Sequence, residues 1–257
     1  MNPINTATID RLVTRLEKCL AGILFAYVFS MLIYPFVKAS GDWTYVQNVW
    51  DRWQSLNAGI LALSASIIGF YISRYNQNKK RERDFVAARA FLPLTLSELT
   101  SYCKSCSVLL REAYVALDRQ DGLRLNLESE LEELPDSLKE TFSRCISVAD
   151  PDIGGHLAQI LWKLQINNSR LKELKIKPGQ GIDQMIFKNN LVSYLFSLGE
   201  LQTLIFRTFN FARALESLNN SNLNWDDYTN AYFNLDIELD DIEGLEEFTK
   251  RVIARGG

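Results

Sequence analysis

The sequence predicts an all-α protein, a two-helix transmembrane hairpin followed by a cytoplasmic α-helical bundle. Three observations lead there. Two runs without a charged residue, at residues 19–37 and 53–73, lie in the first third of the 257-residue chain. Beyond Arg74, apolar residues recur at helical spacing over several long stretches. Nowhere does the apolar-polar alternation of a half-buried strand persist.

The second run, WQSLNAGILALSASIIGFYIS, ends abruptly at Arg74. At a rise of about 1.5 Å per residue it covers the roughly 30 Å hydrocarbon core of a bilayer. The first run, CLAGILFAYVFSMLIYPFV, is held between Lys18 and Lys38, with Pro35 where it bends only the last turn. It is too long for the apolar region of a secretory signal. No small-x-small cleavage site closes it before Tyr34, Pro35 and Phe36, so it reads as an uncleaved span. Arg11, Arg15 and Lys18 precede the first span, the loop of residues 38–52 holds two bases, and Arg74, Lys79, Lys80, Arg81 and Arg83 follow the second. Both flanks exceed the loop in Lys and Arg, which places both termini in the cytoplasm. The expected organisation is a cytoplasmic segment 1–18, a hairpin 19–73 and a cytoplasmic helical domain 74–257.

The loop carries Trp43, Tyr45 and Trp50, with Trp53 just beyond. Rings with one polar atom favour the headgroup layer, so the loop is expected to lie on the outer membrane surface. The two spans differ in character. The first is bulky, whereas the second sets Ala58, Ala62 and Ser66 four residues apart, with Ala65 and Gly69 on an adjacent stripe. Small side chains let helix backbones approach closely in lipid, so this face is expected to pack against protein. Asn57, Ser64 and Ser66 add polarity, and either helix packing or the lining of a wet path accommodates them. The basic segment from Arg74 through Arg83 either contacts anionic headgroups or only sets topology.

Charge is divided unevenly. Through Arg89 there are 11 Lys/Arg against 6 Asp/Glu, and beyond it 17 against 25, for the overall net charge of −3. The acidic remainder argues against a broad nucleic-acid-binding face. It reads as a series of helices. One runs from about Phe91 and is kinked or started by Pro93. One follows Glu133-Leu134-Pro135-Asp136, and one is capped by Asp150-Pro151 and runs to about Leu174. After the loop of residues 175–181, a long central helix is expected over about 182–218, then an Asn-rich turn at 219–224 and an acidic tail helix. Glu200 and Arg207 argue against a third span over residues 191–206.

Catalytic patterns are sparse. His156 is the single histidine and has no nucleophile motif nearby, which makes it structural. Cys103 and Cys106 have the spacing of half a zinc site, but only Cys145 and His156 could complete it, so the cysteines read as small core residues. Asp152 and Glu173-Leu174-Lys175 match the bare pattern of a metal-dependent nuclease, yet the second cluster ends a helix where a strand is needed. Residues 177–181 lack the glycine spacing of a phosphate cradle. No enzymatic activity, cofactor or metal is expected.

The layout, together with the stretch from Asn57 to Cys103 that includes NKKRERDFVAARAFLPLTLSELTSYC, resembles small bacterial membrane proteins of antiphage systems. In particular it is similar to the two-span effector encoded beside the reverse transcriptase of some retrons. The resemblance implies a toxin-like inner-membrane protein, held silent by a cytoplasmic partner such as a reverse transcriptase complex. Release on infection would then damage the membrane and stop the cell. The expected partners are membrane lipids, further copies of the chain and that cytoplasmic protein, without direct nucleic-acid binding. The alternative is a membrane-anchored adaptor whose bundle recruits a cytoplasmic protein without forming a pore.

Overall fold

A computed structural model describes residues 15, 18, 22–23, 25–119, 127–175 and 187–256, and every regular element among them is a helix. The chain divides into two compact units, Met1–Gln77 and Asn78–Gly257.

In the first unit, α1 (Phe25–Ala39) contains a π-helical turn at Phe29–Ile33 and stops where Ser40 and Gly41 take left-handed backbone angles. Asp42 then accepts a hydrogen bond from the Thr44 N–H at 2.9 Å and starts α2 (Trp43–Arg52). This corrects the expectation of a loop over residues 38–52. A capping Asp followed by apolar residues at helical spacing (Trp43, Val46, Trp50) is a helix signal, and Val46 is buried. After Trp53 breaks the chain for one residue, α3 (Gln54–Arg89) runs unbroken for 36 residues. It is the one helix among the described residues long and apolar enough to cross a membrane. The first expected span is not established as one. Within it α1 is apolar but shorter than a bilayer crossing, and residues 19–21 and 24 lie outside the described residues.

The second unit begins with the C-terminal turns of α3 and continues with α4 (Leu92–Arg119), α5 (Ser137–Val148), α6 (Pro151–Leu174), α7 (Lys188–Ala212), α8 (Trp225–Asn234) and α9 (Leu245–Ala254). Pro93 falls in the first turn of α4, where its missing N–H costs nothing, so it begins a helix and does not kink one. The central helix is α7, packed on α4, α6, α8 and α9. Leu191, Leu195, Leu201 and Ile205 are fully buried along it, so residues 191–206 belong to a protein core. It is shorter than expected. Residues 182–186 lie outside the described residues, and the helix ends at Ala212 because Ala214 adopts φ 61° and Leu215 N–H bonds back to Asn210 O at 2.9 Å. The acidic tail is split into a 3₁₀ turn at Leu239–Asp241 and α9, which Gly244 starts at φ 83°.

The end of α3 is fastened within this unit. Arg81 reaches Asp150 at 2.7 Å, the Phe85 and Phe211 rings meet at 6.2 Å, and the Arg89 guanidinium lies over both, 5.5 and 5.6 Å from their centres. Asp150 sits at the N-cap of α6 but does not cap it, because its carboxylate turns to Arg81.

Candidate functional site

None of the residues of α3 is buried, although its apolar stretch carries Leu61, Ile68 and Phe70 at 58–70% exposure. A core helix of a water-soluble protein hides such residues, so this one needs an apolar medium or a partner. The structure separates the small and polar residues expected on one face into two sets. Asn57, Ile60 and Ser64 are partly covered, and Asn57 Oδ1 accepts a hydrogen bond from the Tyr27 hydroxyl of α1 at 2.8 Å. Ala58, Ala62, Ala65, Ser66 and Gly69 are exposed, and a Cβ placed on Gly69 would meet no atom within 4 Å. At about 100° per residue the two sets centre roughly 150° apart. Asn57 is therefore committed to α1, while the alanine and glycine face is open. The Ser66 hydroxyl bonds to Ala62 O at 2.9 Å in its own helix, so its polarity is met locally.

The junction of α1 and α2 has its own logic. In a regular helix the N–H of residue 35 would bond to the carbonyl of Met31, but Pro35 has no N–H. Trp50 Nε1 donates to Met31 O at 3.0 Å in its place. Phe36 packs on Trp43 and Trp50, with ring centres 5.9 and 6.3 Å apart. The four aromatics expected at an interface fall into roles that the sequence did not separate. Trp50 satisfies a backbone carbonyl, Tyr45 is half-buried, and Trp43 and Trp53 are exposed.

Among the basic residues after the apolar stretch, Lys79 pairs with Glu82 at 2.8 Å, Arg83 Nε donates to Lys79 O at 3.3 Å, and Arg81 is held by Asp150. Arg74 and Lys80 are exposed.

His156 is buried and its Nε2 lies 3.0 Å from Thr208 Oγ1. Burial lowers its pKa, and the nearby Arg207 adds to this. Cys103, Cys106 and Cys145 are free and buried, and burial pushes the Cys106 thiol up to about 12. No group of metal-ligating side chains occurs among the described residues. Asp152 and Glu173 stand at opposite ends of α6, which at about 1.5 Å per residue sets them roughly 30 Å apart and rules out a shared ion. Residues 177–181 lie outside the described residues. Glu200 and Arg207, read as bars to a third span, are neutralised by Lys163 at 2.5 Å and Asp227 at 2.6 Å.

No family model, curated protein or solved structure matches this chain.

Proposed function

We propose that this protein is a membrane-embedded effector of a bacterial antiviral system. In this reading it sits in the inner membrane as a two-span protein with both termini cytoplasmic. It disrupts the membrane by oligomerising when a cytoplasmic partner releases its helical domain, and it acts without enzymatic chemistry. The observation that carries the reading is α3, an apolar helix with no buried residue. Two features support the mechanism. The Ala58, Ala62, Ala65 and Gly69 face has no occupant among the described residues, so a second copy can approach it closely. The helix that bears this face continues without a break to Arg89. Asn57 belongs to the contact with α1 in this scheme and not to a pore.

Expression in a bacterium with a membrane-potential dye tests it. Wild-type protein without its partner collapses the potential and arrests growth, and Gly69→Leu, which blocks close approach, abolishes both. If uninhibited protein leaves potential and growth untouched, the effector reading is wrong. If an unrelated hairpin in place of residues 19–73 preserves function, the chain is an adaptor.

A further inference from the structure

A cavity of about 510 Å³ lies within the second unit, between the first turns of α6, the middle of α7, the loop of residues 219–223 and α8. Its volume is that of a small-molecule site. Tyr228 lines it and is 2% exposed, yet its hydroxyl has no hydrogen-bond partner among the described residues. The hydroxyl oxygen is not sealed off by the fold, so it opens on the cavity, where a ligand can reach it. Its ring is fixed by stacking on Phe196, with centres 5.2 Å apart. His156 lines the same cavity. The Thr208 hydroxyl gives its proton to Leu204 O at 2.7 Å, so it accepts from His156 Nε2–H, and Nδ1 is the unprotonated nitrogen. Glu200 uses Oε2 for Lys163, while Oε1 has no donor among the described residues. Asp152 adds a further carboxylate at the wall.

Among the described residues, the one cation at the wall is already engaged. Arg207 bonds to Asp227 and to the carbonyls of Ser221 and Asn222, so it is not free to receive an anion. Beside the amides of Gln159, Asn220 and Asn222, which donate as well as accept, the cavity offers a phenolic oxygen, an imidazole nitrogen and carboxylate oxygens. We propose that this cavity binds a small organic cation, a protonated amine or guanidine. Asp152 supplies the opposing charge, Glu200, already paired with Lys163, offers Oε1 as a further acceptor, and Tyr228 and His156 accept the remaining N–H groups. The proposal concerns the helical unit alone and does not depend on the membrane reading.

Thermal unfolding of the full chain in detergent, at matched ionic strength, tests it with agmatine and spermidine as probes and adenosine monophosphate as the anionic counterpart. At ten times its dissociation constant a bound cation raises the midpoint by about 3–6 °C. Tyr228→Phe keeps the stack and removes only the unpartnered hydroxyl, so it folds and weakens binding about fivefold. Asp152→Asn, which leaves the Lys163–Glu200 pair intact, weakens it about tenfold. The proposal is overturned if neither cation moves the midpoint, if only the nucleotide does, or if both variants keep the wild-type shift.

Discussion

Gly199 leaves room on α7 for the Tyr232 ring of α8, and replacing it with alanine puts a number on that contact. A Cβ there would lie 2.5 Å from Tyr232 Cε1 and 3.2 Å from Cδ1 and Cζ. Comfortable carbon contacts are about 3.5–4.0 Å, so the ring or the helix must move by roughly 1 Å. The ring has little room to do so. Tyr232 is 1% exposed, and its hydroxyl is 2.7 Å from Thr249 Oγ1, which in turn bonds to Leu245 O at 2.8 Å. Overpacking of this kind costs about 1–3 kcal/mol, and losing the Tyr232–Thr249 bond adds about 1 kcal/mol. Alanine recovers about 1 kcal/mol of helix propensity. The net is a destabilisation of about 1–3 kcal/mol, or a fall of roughly 3–10 °C in melting temperature for a domain of this size. Circular dichroism melts of the purified full chain measure it. In a Tyr232→Ala background the obstacle is gone, so adding Gly199→Ala becomes stabilising by about 1 kcal/mol. A Gly199→Ala protein that melts at or above wild type refutes the packing argument.

Ala214 ends α7 at φ 61°, a conformation that costs a residue with a Cβ about 1 kcal/mol, so Ala214→Gly raises the melting temperature by roughly 2–4 °C in the same assay. Trp50→Phe removes a donor to the Met31 carbonyl and lowers thermal stability by about 0.5–1 kcal/mol, whereas in a Pro35→Ala background a backbone donor returns and the loss shrinks. A double-mutant cycle reads that coupling, and additive effects would count against it. Burial lowers the pKa of His156, so the folded state takes up its proton less readily than the unfolded state does. The stability this confers is complete above the ordinary histidine value of about 6.5 and is lost as pH falls below it toward the lower folded value. Melts between pH 7.5 and 5 show this fall, and His156→Gln flattens it.

Much of the fold is written in local pattern. The charge-free run of residues 53–73 announced α3, and Asp150-Pro151 marked the start of α6, whose end near Leu174 was set by the loop residues that begin at Lys175. What local pattern carried less well were ends and functions decided by distant groups. Asp150 looks like a cap but serves Arg81, 69 residues away in sequence. Ala214 stops a helix without the glycine that would have signalled it. Asn57, read with the small-residue face, faces Tyr27 because a partner helix lies on that side.

The amino-acid sequence by itself determined that the chain is helical and that one helix is long and apolar enough to cross a membrane, because composition and spacing act residue by residue along the chain. Only the tertiary structure decided which face of that helix is left open. It also brought Tyr228, His156 and Glu200 to one cavity wall from three helices. Whether a polar atom is met or left waiting depends on what folding brings beside it, and no spacing in the sequence records that.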